Sequence, residues 1–459
     1  MELSIISRET VKPSSPHDHL KPYKLCLFDQ ITPMTYISLV IFYSTPDQNF
    51  NSNLTQTLSH LKKSLSETLN LFYPLSGKTK ENLYVDEFDT GVTYIEAKVS
   101  CSLTDFFKLS QTELLNKFVP YHPLRNEVVE PSSREELPQI GFQVNVFACG
   151  GIALGTSFGH KVADAGTVSY FLKAWASSSR HSTDDDITGP NYSNASLVFP
   201  PMYSVPQKYR TITDKKWFSK KNLVTKRLVF DADSIATLKD LAKSEQVPRP
   251  SRNDVLSCFI WKHSSEAAAA AKGGAARASV AVLAVNLRPR MKSKLPLDSS
   301  LGNLFWWTRA PVSDARMGLG ELVVVLRESL VSFNECLKRS EESDDVGFAL
   351  VSEYYDAMEA AVESPETDVY IFTNWSGFYN EVDFGWGKPI WIGAHGKMGG
   401  ERFMKVHVLL EIPGGNGVEV FLTLEEDEMA VLEKDPKFLE FASFNPRGVP
   451  GGEPFHRSA

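Results

Sequence analysis

Residues 153–175 read ALGTSFGHKVADAGTVSYFLKAW, and the change of period inside this stretch decides the fold class. From 153 to 158 Ala153, Gly155 and Ser157 alternate with Leu154, Thr156 and Phe158, the period of two expected of a β-strand. Beyond Asp164 the apolar residues Val168, Phe171, Leu172 and Trp175 recur at helical intervals. A strand followed directly by a helix, with His160 at the junction, predicts an α/β chain. It places an imidazole where two rigid elements can aim it at a ligand, so His160 is the candidate general base.

Working outward, residues 140–158 predict a β-hairpin: Ile140, Phe142, Val144 and Val146 alternate with Gly141, Gln143 and Asn145, and Cys149-Gly150-Gly151 turns the chain. Upstream, residues 3–10 predict a strand. Residues 53–69 carry Leu54, Leu58, Leu61, Leu65 and Leu69 on one helical stripe, and NLYVDE with GVTYIEAKV reads as a meander. Downstream, residues 177–196 read as a polar, acidic, exposed loop. Residues 200–227 read as a crossover between an N-terminal domain (1–199) and a C-terminal one (228–459), with a segment near 367–390 able to pack on the first.

In the C-terminal half TKRLVF, SVAVLAVNLRPR and residues 368–373, 403–412 and 418–424 predict strands, the last two joined by Pro413-Gly414-Gly415-Asn416-Gly417. Helices are predicted over 233–243 and 320–337, after Glu425, and from Ser251, whose spacing to Asp254 resembles a capping box. The alanines of 267–278 extend that helix until Gly273-Gly274 ends it. LGNLFWW reads as a turn.

The chain has 459 residues, enough for two or three domains, and a formal charge of −8 from 48 basic and 56 acidic residues. That balance argues against a nucleic-acid-binding chain. No run of about 18 apolar residues suggests a membrane span, and the first residues lack the basic start and apolar core of a signal peptide. Cys26, Cys101, Cys149, Cys258 and Cys336 are odd in number and never in a CxxC pair, so free thiols are expected and no metal site. A cytosolic monomer is the expectation.

The crossover carries a local concentration of charge: Lys208, Arg210, Lys215, Lys216, Lys220, Lys221, Lys226 and Arg227 against Asp214 alone. It reads either as a solvated linker or as a mouth attracting a polyphosphate cofactor. A second phosphate candidate is the helix N-terminus at Ser251, Arg252 and Asn253.

His160 and Asp164 form an HxxxD pattern, which chance supplies in roughly every thousand residues; His181 and Asp185 match it too, without a flanking strand and helix. If 160–164 were helical, Asp164 could orient the imidazole as in a triad. If the helix starts at Asp164, the carboxylate is engaged at the helix N-terminus or in a salt bridge and His160 acts without it. Gly159 and the strand pattern reaching Phe158 favour the second arrangement. A rival chemistry makes Cys149 a nucleophile partnered by His160. The pentapeptide DFGWG (Asp383, Phe384, Gly385, Trp386, Gly387) combines rare residues and reads as a tight, packed loop.

HKVAD followed by DFGWG about two hundred residues later, with KPSSP, KLCLFDQITP, FYPLSGK, VNVFACGGIAL, AVNLR and LGNL, resembles the plant BAHD acyl-CoA-dependent acyltransferases over nearly the whole chain. HKVADAGT, FDQ and YNEVDFGWGKPIW are similar to its alkaloid-acetylating branch. The resemblance implies two similar-sized α/β domains of mixed sheet plus helices, chloramphenicol acetyltransferase-like, with a channel between them and His160 midway. It implies that Asp164 pairs with Arg288 and that DFGWG is structural. It further implies that Thr373 and Trp375 of TNW, matching the family's TSW, face an oxyanion. Acyl-CoA, most simply acetyl-CoA, is then a co-substrate rather than a bound cofactor, and the acceptor is the hydroxyl of a plant alkaloid or terpenoid. Volatile alcohols, acyl sugars or phenolics with longer acyl donors stay open, as does a silent, ligand-binding relative.

Overall fold

The computed structural model describes residues 1–16, 20–44, 53–121, 138–180, 188–209, 212, 222–275, 277–291, 295–340, 346–363, 367–394, 405–415 and 417–447. Two mixed sheets organise them. The first has six strands in the order Leu3–Val11, Val92–Val99, Ile140–Phe147, Ile152–Gly159, Tyr36–Tyr43 and Trp391–Gly393. The second has seven: Phe305–Val312, Ser279–Asn286, Asp368–Asn374, Val406–Glu411, Val418–Glu425, Leu223–Phe230 and Ser443–Phe444.

The predicted hairpin lies in the middle of the first sheet, with Val144 opposite Leu154 and Ile140 opposite Phe158. Against this sheet pack the helices Leu54–Leu71 and Ala165–Ser179. Leu61, Leu65 and Leu69 are buried, and Trp175 Nε1 donates to Leu61 O and Ser64 Oγ at 3.2 and 3.1 Å. The leucine stripe is thus a core-facing helix surface.

Several expectations are corrected. NLYVDE and GVTYIEAKV do not form a meander: Tyr84–Asp86 joins a three-stranded sheet with Tyr23–Lys24 and Lys78–Lys80, while Val92–Val99 pairs with Leu3–Val11 and Ile140–Phe147. The LGNLFWW turn ends in a full strand, Phe305–Val312, antiparallel to Ser279–Asn286. Of the loop expected at 177–196, Ser177 to Ser179 belong to the helix Ala165–Ser179, and the short helix Asn194–Val198 is anchored by Asn194 Nδ2 donating to Pro296 O at 2.7 Å; residues 181–187, with the decoy His181 and Asp185, lie outside the described residues. The crossover stops earlier than 227, because Leu223–Phe230 is a strand of the second sheet. Two of the longer elements gave no sequence signal. Tyr36–Tyr43 is buried at all eight positions and apolar at all but Ser38, so it shows no alternation. The helix Val346–Glu363 was the other.

The chain returns once to the first sheet. After Asp368–Asn374 in the second sheet, the DFGWG loop and Trp391–Gly393 cross back, and Trp391 pairs opposite Phe42. A buried polar junction holds this crossing. Arg227 NH1 bonds Glu419 Oε1 at 2.9 Å, Trp391 Nε1 donates to Glu419 Oε2 at 2.7 Å, and the Arg227 guanidinium lies 5.4 Å from the Trp391 ring. Burial pushes the Glu419 carboxyl up against the opposing Arg227 charge. Removing one member of a buried pair strands the other charge. Arg227→Met is therefore expected to lower unfolding stability by about 3–5 kcal/mol, read as a shift of the urea midpoint, with Lys226→Met, whose partner Glu433 is one-third exposed, as a near-neutral control.

Candidate active site

The strand Ile152–Gly159 ends at the seam between the sheets. Its pairing continues one residue further, His160 N donating to Thr35 O at 2.7 Å. The turn that follows carries the chain across to the second half, where Ala163 forms a parallel bridge with Gly302. A helix begins at Ala165 with Asp164 as its N-cap, and Asp164 Oδ1 accepts from Thr167 N at 2.8 Å.

Asp164 is not turned toward His160. Arg288 grips it from two nitrogens, at 2.6 and 3.1 Å, and Leu304 N donates to it at 2.9 Å. Burial would raise its carboxyl; the Arg288 charge and these bonds outweigh that and hold it below the usual carboxylate range. Gly166 leaves the room Arg288 needs, since a Cβ there would stand 2.7 Å from NH1. Of the two arrangements open in the sequence, the cap and salt bridge is the one found, and the triad-like one is excluded.

The imidazole is oriented by other groups. Asn303 donates its two amide protons, one to Asp29 Oδ1 at 2.9 Å and one to His160 O at 2.7 Å. Its Oδ1 then faces His160 Nδ1 at 3.1 Å. An amide oxygen only accepts, so the proton of the neutral ring sits on Nδ1 and Nε2 keeps its lone pair. The ring's own backbone carbonyl also stabilises its protonated side. Asp29 in turn accepts from Cys26 N and Asn303 N; burial raises its carboxyl despite these donors. Burial also lowers the His160 pKa below its ordinary 6.5, against the opposing pull of its own carbonyl and of Asp164.

His160 opens on a cavity between the two halves, also lined by Tyr36, Asn286, Phe305, Thr373 and Trp375. His160 and Phe305 rings are 5.6 Å apart. Among the described residues neither Thr373 Oγ1 nor Trp375 Nε1 is engaged in a hydrogen bond, while Trp375 N is held by Leu409 O at 2.8 Å. On the rim, Asn374 Nδ2 donates to Asn253 Oδ1 at 3.2 Å, which brings the N-terminus of the helix Arg252–Ala271 beside the cavity. A lone pair on a part-buried imidazole, two uncommitted donors and a dipole end around one cavity suit proton removal from a hydroxyl and stabilisation of an oxyanion.

The model of the transferase family matches residues 1–439. The chain is 36% identical over 455 residues to akuammiline synthase 2 of Alstonia scholaris, covering 97% of this chain and 98% of that one. It is 36% identical over 467 residues to a limonoid 7-O-acetyltransferase of Citrus sinensis, covering 97% and 99%. The chain belongs to the BAHD acyltransferase family. A crystal structure of vinorine synthase shares the fold at a TM-score of 0.79 and 30% identity, over 98% of this chain and all of that one.

The remaining residues of the BAHD motifs separate cleanly. DFGWG does not line the cavity: Asp383 Oδ1 accepts from Gly385 N and Gly387 N at 2.7 and 2.9 Å, and Phe384 and Trp386 pack on Trp175 and Tyr43 of the first core. Gly385 at φ 93° and Gly387 at φ 87° occupy left-handed backbone that other residues resist. Of the phosphate candidates, Ser251 Oγ is spent on Asp254 N and Arg252 shares Glu411 at 3.2 Å. In the basic crossover Lys208, Lys226 and Arg227 are paired with Asp356, Glu433 and Glu419; Arg210, Lys215, Lys216, Lys220 and Lys221 lie outside the described residues. Cys149 is excluded as a partner of His160. The two flank opposite ends of an eight-residue strand, a separation of about 26 Å.

Asp29 and Asn303 were missed as functional positions. They stand in FDQ and LGNL, 274 residues apart, and no local period links either to His160. The geometry separates the two members of HxxxD: Asp164→Ala leaves Arg288 unpaired and is expected to cost about 3–5 kcal/mol of stability, whereas His160→Ala melts within about 1 kcal/mol of the parent. Denaturant unfolding of the two variants measures the difference.

Proposed function

We propose that this BAHD acyltransferase moves an acetyl group from acetyl-CoA to a hydroxyl of a polycyclic plant alkaloid or terpenoid, acting as a cytosolic monomer. The observation that carries the reading is the contact of Asn303 Oδ1 with His160 Nδ1 at 3.1 Å, which puts the ring proton on Nδ1 and leaves the basic Nε2 to receive one. The acceptor class draws on the names of relatives at 36% identity, and the cytosolic assignment on five cysteines of which none forms a disulfide.

In this reading the acceptor hydroxyl gives its proton to His160 Nε2 as its oxygen bonds the thioester carbonyl carbon. Negative charge collects on the carbonyl oxygen, where Thr373 Oγ1 and Trp375 Nε1 serve as donors. The C–S bond then breaks, and the imidazolium returns its proton to the CoA sulfur. Thioester and pantetheine are read as entering past Asn253 and Asn374, with Ser251 and Arg252 shaping that rim, and the acceptor as lying against Tyr36 and Phe305. Because burial disfavours the imidazolium, the neutral, proton-accepting form of the base is favoured relative to a free imidazole.

Incubation with acetyl-CoA and a panel of polycyclic alcohols, with mass-spectrometric detection, is expected to yield mono-acetylated product; a longer acyl-CoA reacting better would redirect the donor assignment. His160→Ala lowers kcat/KM by about 10²–10⁴, and full turnover by that variant would sink the mechanism. The acidic limb of the kcat/KM profile is expected at a pKa below 6.5, since desolvation lowers the pKa of the free enzyme's base; a limb above that value contradicts the part-buried, neutral imidazole.

A further inference from the structure

A second group of potential ligands lies where the helix Arg252–Ala271 meets the C-terminal helical turn Pro436–Leu439. His263 and Glu266, three residues apart, share one helix face. Asp435 is the N-cap of the facing turn, and its Oδ2 lies 2.6 Å from His263 Nδ1, while Glu266 Oε2 is 3.7 Å from the same nitrogen. The three donor atoms fall within 4.8 Å of one another. We propose that His263, Glu266 and Asp435 form a divalent-cation site that clips the C-terminal turn to the long helix, with Zn²⁺ the best-fitting occupant.

Each donor is already steered. Asp435 Oδ1 is held by Lys437 N at 3.0 Å and Glu266 Oε1 by Lys262 Nζ at 2.9 Å, so the remaining oxygen of each turns to the imidazole. The His263 ring is set between Phe259 and Phe438, 4.5 and 5.5 Å away. Outer partners that fix a ligand's direction are a regular companion of metal sites. A tetrahedral Zn²⁺ bound at about 2.1 Å holds its ligands about 3.4 Å apart. The Glu266 spacing already meets that, and the Asp435 spacing opens by less than 1 Å. The cluster borders a surface cavity shared with Ala267, Ala270 and Ala430, small side chains that leave space for a water ligand.

One neutral imidazole and two carboxylates match the N and O donors Zn²⁺ takes. Lys262 and Lys434 are the cations facing the cluster; a dication has to outcompete the first for Glu266. Binding at His263 Nδ1 releases the proton carried there. None of these residues lines the His160 cavity, so the clip serves stability and is independent of the acyl transfer.

The test uses the full chain stripped with a chelator, then titrated with ZnCl2 by calorimetry and by thermal melting. One saturable equivalent and a rise in melting temperature of about 2–5 °C are expected. Glu266→Gln, which leaves the His263–Asp435 contact in place, weakens binding at least about tenfold, and His263→Ala abolishes it. No saturable binding, or binding equal in the parent and both variants, overturns the proposal and leaves the cluster a plain histidine–carboxylate pair.

Discussion

The structure depends on the buried ion pair between Asp164 and Arg288. Asp164 sits at the start of a helix that packs on the first sheet, and Arg288 follows a strand of the second. Beyond the carboxylate, Arg288 reaches Ser300 O and Gly302 O, so one guanidinium ties together the His160 turn, the LGN segment and the end of the Ser279–Asn286 strand. Two such charges are stable out of water only with close geometry and extra hydrogen bonds. The N-cap bond to Thr167 and the donation from Leu304 supply them. The cavity exists because this tie holds the halves side by side at that point, and a second buried junction, Arg227 with Glu419 and Trp391, holds them where the chain crosses back.

Freed from the carboxylate, His160 acquires its direction from an amide. Asn303 has two protons and one acceptor oxygen, and with both protons committed, to Asp29 and to the His160 carbonyl, the oxygen has one place left to point. That geometry decides a tautomer, and the tautomer leaves Nε2 able to accept a proton. The same burial that seals Asp29 and Asn303 from water lowers the basicity of His160 and keeps it neutral. Stability and reactivity thus share one set of contacts, with the carboxylate of HxxxD on the stability side.

Much of the fold was legible because its elements carry local patterns. The hairpin around Cys149 to Gly151 alternates large apolar with small or polar residues although both strands are buried, Leu54–Leu71 buries one leucine stripe, and the helix from Arg252 is marked by its Ser251 cap, its residues Val255 to Trp261 being buried in an unbroken run. Tyr36–Tyr43 escaped because its sequence is apolar at every position but Ser38 and so shows no alternation, and Phe305–Val312 because LGN ahead of it is turn chemistry that masks the strand behind. The pairing of Val92–Val99 was misread since adjacency in sequence suggested a meander, while strand order is chosen by long-range packing.

The sequence by itself determined the strand-to-helix junction at His160, the cap at Asp164, the glycines of DFGWG and, through its motifs, membership of the BAHD acyltransferases. These are matters of local period, local backbone conformation and residue identity. The pairing of Asp164 with Arg288, expected from the family resemblance, is found. Only the tertiary structure decided what else the junction touches: that Asn303 and Asp29 orient the imidazole, and that Asn253 meets Asn374 at the cavity rim. Those contacts join residues more than a hundred positions apart, and hydrogen bonds of that reach leave no period in a chain; they exist only after two sheets have packed and brought their loops to one seam.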